Sequence, residues 1–193
     1  GKDALNGGPG NDTLNGGDGK DYVAYSDATA GVTLNRANGT ASGGGGSDTL
    51  ISIETAFGSP FGDNFSGDGG ANSLFGRGGD DVIDGGSGTD IVELRGLAAD
   101  YVITAEGGGY RVTDAVTGRD GSDLLSGVET LRLRDGSTVA LPVAALSAVF
   151  SCLFVRPAAR LRRHRGAAAT AVAVRARPLG ELQRAAGQAF PGS

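Results

Sequence analysis

Gly7-Gly8-Pro9-Gly10-Asn11-Asp12-Thr13-Leu14-Asn15 is followed without a break by Gly16-Gly17-Asp18-Gly19-Lys20-Asp21-Tyr22-Val23-Ala24. The two nonapeptides align place by place: glycine at places one, two and four, an acid at place six, an apolar residue at place eight. A truncated copy, Gly1-Lys2-Asp3-Ala4-Leu5-Asn6, precedes them in register, and Gly43-Gly44-Gly45-Gly46-Ser47-Asp48-Thr49-Leu50-Ile51 repeats the pattern after an interruption. Four contiguous copies then begin at Gly58, Gly67, Gly76 and Gly85, and a last one spans Gly118 to Ser126. A fixed period of this kind marks a stacked repeat architecture and outranks local secondary-structure propensities.

The pattern resembles the RTX, or hemolysin-type, calcium-binding repeat G-G-x-G-x-D-x-U-x. The spacing has a physical basis. Glycines at places one, two and four admit positive φ and close backbone approach, so six residues close a tight loop. The remaining three form a short strand with only its middle side chain turned inward. Two half-turns make one coil, and loops two repeats apart stack on the same edge. The expected fold is all-β: a right-handed parallel β-roll with a small antiparallel C-terminal capping segment and a non-β or disordered tail.

Stacking puts Asp carboxylates and glycine carbonyls around a common gap, an all-oxygen, net-negative environment suited to calcium rather than to zinc or copper. The register expects Asp3 to share an edge with Asp21 and Asp12 to lie opposite; in the second block Asp63 pairs with Asp81, and Asn72 with Asp90. Asn72 removes one charge, so a weaker site is expected there. Gly58-Ser59-Pro60-Phe61-Gly62 lacks glycine at places two and four and reads as a terminating loop. The resemblance implies ligation by the place-six side chain and by backbone carbonyls around places two and four. That set is Asp3, Gly8, Gly10, Asp12, Gly17, Gly19, Asp21, Gly44, Gly46, Asp48, Asp63, Asn72, Gly79, Asp81, Gly86, Gly88, Asp90 and Asp123, holding several Ca2+ ions.

One buried aliphatic per nine ordered residues (Leu14, Val23, Leu74, Ile83, Val92) does not offset the backbone entropy lost on ordering, and clustered Asp adds repulsion. A multivalent cation bound only by the folded chain supplies the missing term.

The expected organisation is a roll over 1–93, in blocks 1–24 and 43–93. Residues 25–42 are a β insertion of two nonapeptide lengths, within which the coil continues without metal loops. Residues 94–141 form a β cap, with a hairpin turn at Gly107-Gly108-Gly109 between Tyr101-Val102-Ile103-Thr104 and Tyr110-Arg111-Val112-Thr113. A second echo relates Gly46 to Thr55 with Gly121 to Thr130, each ending beside a Glu. Glu54 and Glu129 are expected on the solvent face of a strand rather than as further carboxylate ligands.

Charge divides the chain. Residues 1–141 carry 9 Lys+Arg against 21 Asp+Glu, hence −12, and residues 142–193 carry 8 Arg against one Glu, hence +7. The tail is read as a disordered, loosely helical or out-of-frame extension. Its apolar run 143–155 is too short for stable membrane insertion. Its basic run 156–165 has the composition of an anionic-membrane or nucleic-acid patch, but no nucleic-acid partner is expected. An opening mid-pattern without Met reads as a piece of a longer protein. The tail does not look like the C-terminal export signal of the resembled family, so a type I secretion apparatus is expected as a partner of the parent and not of this chain as it stands.

With one Cys (Cys152) and one His (His164), disulfide frameworks and multi-cysteine zinc sites are excluded. No nucleophile elbow, H-E-x-x-H or P-loop occurs. The expected function is calcium binding as a calcium-dependent folding and secretion module of an extracellular protein, not an enzyme in itself. The alternative is an adhesive or surface-layer solenoid with a cell-surface or glycan partner.

Overall fold

The computed structural model describes residues 1–142. The expectations for the basic tail, including Cys152, His164, the apolar run 143–155 and the basic run 156–165, lie outside the described residues.

Each half-turn of the repeat becomes one strand: β1 (Ala4–Leu5), β2 (Thr13–Asn15), β3 (Tyr22–Ala24), β7 (Thr55–Phe57), β8 (Asn64–Ser66), β9 (Ser73–Phe75), β10 (Val82–Asp84) and β11 (Ile91–Glu93). Between β3 and β7 lie β4 (Val32–Asn35), β5 (Thr40–Gly43) and β6 (Gly46–Ile51). After β11 come a short 3-10 turn (Ala98–Asp100), β12 (Tyr101–Glu106), β13 (Gly109–Asp114), β14 (Ser122–Ser126), β15 (Thr130–Arg132) and β16 (Thr138–Ala140).

The strands alternate between two sheets. One runs β1-β3-β7-β9-β11-β15-β16, the other β12-β13-β14-β10-β8-β4-β5-β6-β2. Repeat strands pair in parallel with the strand two half-turns away: Val23 faces Ala56, Ile83 faces Phe65, and Val92 faces Leu74. A strand of three residues sends only its central side chain inward. The core between the sheets is therefore a file of single residues: Leu14, Val23, Ala56, Phe65, Leu74, Ile83 and Val92, joined by Leu34, Leu125 and Leu131. This is a β-roll.

The insertion departs from the expected continuation of the coil. β4, β5 and β6 form an antiparallel meander inside the second sheet, with β6 parallel to β2 and β4 parallel to β8. The stretch 25–42 contains no second glycine-rich loop to turn the chain across to the other sheet, so it doubles back at Arg36–Gly39, where the Gly39 N–H donates to the Arg36 carbonyl at 3.1 Å. The meander joins both blocks into one roll.

The cap differs in extent. β12 and β13 form the expected hairpin about Gly107 and Gly108, but β14 and β15 rejoin the roll, parallel to β10 and β11. Parallel stacking thus runs to Arg132, and only β12, β13 and β16 are antiparallel additions. The hairpin is pinned by buried Asp120, which accepts hydrogen bonds from the Arg95 N–H (2.9 Å), Arg95 Nε (2.6 Å) and the Tyr101 hydroxyl. Among the described residues no helix is long and apolar enough to cross a membrane.

Candidate metal centre

Loops between strands stack along the two edges of the roll, and place-six residues form a ladder on each. On one edge the backbone N–H of Asp12 donates to the Asp48 carboxylate (3.0 Å), that of Asp63 to Asp81 (2.8 Å), and that of Asp81 to Asp123 (3.0 Å). On the other, Asp3 donates to Asp21 (2.6 Å), Asp21 to Glu54 (2.9 Å), Asn72 to Asp90 (2.7 Å) and Asp90 to Glu129 (2.7 Å). The structure so places Asp3 against Asp21, Asp63 against Asp81 and Asn72 against Asp90, with Asp12 on the opposite edge.

Glu54 and Glu129 are not on the solvent face of a strand, contrary to the expectation. Each is partly buried and takes the place-six position in its ladder. The loops before them are short, turning on Ser52 (φ 52°) and Gly127 (φ 57°) at matching positions of the echo. Three residues there replace a six-residue loop, and the extra methylene of Glu spans the remaining distance to the N–H of the preceding rung. The matching positions of Ser52 and Gly127, and a Glu two residues after each, were the sequence signals available.

The ladder uses one carboxylate oxygen of Asp21, Asp81 and Asp90, whereas Asp12 heads its edge and gives the ladder only its N–H. The Oδ2 oxygen is buried without any hydrogen-bond partner in Asp12, Asp21, Asp81 and Asp90. A buried carboxylate oxygen with no donor costs several kcal/mol by order of magnitude, and a cation or a proton at these four oxygens would offset that cost. Burial is the first cause that pushes the Asp81 carboxyl up to about 7 and the Asp123 carboxyl up to about 8, with repulsion from neighbouring Asp adding to both. Among the described residues no group of three or more His, Cys, Asp or Glu side chains converges on one point. A cation here would complete its shell with backbone carbonyls, which suits a hard, oxygen-seeking ion of flexible coordination.

Glycine places Gly8, Gly10, Gly17, Gly19, Gly46, Gly79, Gly86 and Gly88 all adopt positive φ. Stacked loops approach so closely that a Cβ on Gly46 would lie 1.6 Å from the Gly10 carbonyl oxygen.

Other expected ligands are differently engaged. The Asp63 carboxylate accepts from Val32 N, Ser59 N and Ser59 Oγ, each at 2.7 Å; protein donors fill the irregular loop 58–63 and no oxygen of Asp63 is left over. Asp48 accepts from Asp12 and from the Tyr25 hydroxyl (2.9 Å). The Gly44 carbonyl accepts from the Thr29 N–H (3.3 Å) and hydroxyl (3.2 Å). Asp3 is exposed at the first rung, and Asp123 is buried beneath the cap. At Asn72 the amide Nδ2 donates to Asp90 Oδ1 (2.9 Å) and to the carbonyls of Gly70 (2.7 Å) and Gly85 (3.2 Å). The Asn72 amide thus donates to three oxygens of the corner through Nδ2, while its Oδ1 accepts from Arg36 and from the Asp68 N–H (3.4 Å).

No curated protein matches the chain. Among solved structures, the extracellular lipase LipA from Serratia marcescens is 26% identical over 41% of this chain and 14% of the lipase, with a TM-score of 0.23. The RTX calcium-binding nonapeptide repeat matches residues 1–27 and 57–92, in four copies. Those two stretches are thus copies of the RTX calcium-binding nonapeptide repeat, as the glycine and aspartate register leads one to expect.

Proposed function

We propose that this chain is a calcium-dependent folding module of an extracellular protein, extended while calcium is scarce and closing into its roll where calcium is abundant. The observation that carries the reading is the set of four buried, partnerless carboxylate oxygens on Asp12, Asp21, Asp81 and Asp90. In the absence of a cation these oxygens, with the −12 charge of residues 1–141, oppose compaction; an expanded, self-repelling chain suits passage through a narrow export channel. When bound, calcium supplies charge neutralisation at the loop edges. The chain's own part is to hold Asp21, Asp81 and Asp90 by their rung-to-rung hydrogen bonds, so that the second oxygen is presented rather than free to turn outward. We assign the chain no catalytic step, since the repeat and its ladder account for the clustered carboxylates.

Far-UV circular dichroism during a calcium titration tests the proposal. The β signal should be weak in excess chelator and rise cooperatively, with a midpoint of roughly 0.1–1 mM, the range of extracellular calcium modules. A full β signal in chelator would show that the roll closes without the ion and would end the folding-switch reading.

A further inference from the structure

On the edge that begins at Asp3 the carboxylate ladder is interrupted at one corner. Along the edge Asp3, Asp21, Glu54, Asn72, Asp90, Glu129, every neighbouring pair is joined by a backbone N–H and a side-chain oxygen, except Glu54 and Asn72. The side chain of Arg36 occupies that step. Its Nη1 donates to Asn72 Oδ1 and, at 3.4 Å, to the Glu54 carbonyl, and its Nη2 lies 3.2 Å from Asp68 Oδ2. The side chain is only 9% exposed. A carboxylate oxygen of Asp68, the amide oxygen of place-six Asn72 and the Glu54 carbonyl make a set of hard oxygens of the kind a calcium ion takes, and here a guanidinium gathers them.

Arg36 arrives by topology. It follows β4, the strand of the meander that pairs with β8, and its own N–H donates to Ser66 at 2.9 Å. Its charge therefore enters at the seam where the first block meets the second. A guanidinium is permanently charged and offers several donors in a fixed fork, so it can satisfy a carboxylate, an amide oxygen and a carbonyl together. A polar hollow of about 200 Å³ adjoins it, lined by Arg36, Gly39, Leu50, Ser52, Ile53, Glu54 and Asp68, with room for a hydrated ion once the arginine is gone.

We propose that the corner between residues 51–54 and 67–72 is a cation position of the repeat filled by Arg36, so that the seam between the blocks closes without calcium and admits a divalent ion only when Arg36 is removed. The proposal rests on the calcium reading of the other corners. It gives the roll one rung whose order does not follow calcium concentration, on which the flanking calcium-bound rungs stack.

The test compares the full chain with Arg36→Ala and Arg36→Lys, counting bound calcium by native mass spectrometry at saturating calcium and following thermal melting across a calcium series. Arg36→Ala should bind one calcium more per chain than the wild type, melt lower at limiting calcium, and recover as calcium rises. Arg36→Lys, which keeps a charge in the corner, should bind the wild-type number. An Ala variant that folds with the wild-type count overturns the proposal, as does one that stays unfolded at every calcium concentration, or a Lys variant that gains an ion. A wild type that binds no calcium refutes instead the calcium reading beneath it, and the wild-type arm separates the two failures.

Discussion

Gly8 and Gly46 both sit at positive φ, at 74° and 122°, but the fold uses them differently. A Cβ on Gly8 meets nothing within 4 Å, whereas one on Gly46 falls 1.6 Å from the Gly10 carbonyl oxygen. Gly8→Ala should cost only the left-handed backbone penalty, about 1–2 kcal/mol. Gly46→Ala adds a backbone collision between stacked loops and should cost well above about 2 kcal/mol. Urea unfolding of both variants in saturating calcium checks the order; equal costs would mean that the loops do not stack as described. The nonapeptide register identifies both glycines in the sequence. Only the stacking partner, Gly10, separates the one that needs an open dihedral from the one that also needs empty space.

At the scale of elements, the same unit occurs twice. A hairpin (β4–β5, then β12–β13) leads into a strand parallel to the roll (β6, then β14), a short turn with positive φ at Ser52 or Gly127, and a Glu that enters the ladder. The internal copy joins two blocks because β4 offers its far side to β8. The sequence shows the echo between Gly46–Thr55 and Gly121–Thr130 but not its hairpins, since 25–42 has neither glycine loops nor a long alternating run to reveal which way it turns. Phe65 marks the seam. It is 0% exposed at the centre of β8, facing Leu34 of β4 and Ile83 of β10 in the pairing register. A core of single residues per rung has no second layer to fill a void, so Phe65→Ala should cost about 3–5 kcal/mol, read from the denaturation midpoint in saturating calcium. A cost under about 1 kcal/mol would show that the two blocks do not share a core.

For the molecule as a whole, protons and calcium contend for the same oxygens. The folded chain, free of metal, raises Asp81 to about 7 and Asp123 to about 8, first through burial, against an ordinary value of about 3.9 in an unfolded chain. Between these limits the folded form binds more protons than the unfolded form, so metal-free stability falls as pH rises. That contribution is complete below about pH 4 and is lost as pH climbs through 7 to 8. Asp100, held low by the Leu97 N–H and Arg119, acts in the opposite sense only where acid begins to protonate it, outside this window. In chelator, the β signal should therefore grow as pH is lowered from 8 to 5, while the calcium midpoint moves upward over the same range. A metal-free signal that is flat with pH would show that these carboxylates are not crowded in the folded chain.

The period of nine, the inward aliphatics and the edge on which each place-six acid falls can all be read from the residues in order, because glycine spacing and strand alternation are local geometry that repeats without reference to the rest of the chain. The same register places Asp12, Asp21, Asp81 and Asp90 where their second oxygens are found buried. Which of the other place-six side chains are taken up by protein donors depends on the folded chain. Ser59 and Val32 close around Asp63, Tyr25 takes Asp48, and Arg36 reaches Asn72 from a strand of the insertion. Those donors come from segments whose position depends on how the meander folds back, and no repeat period encodes that path.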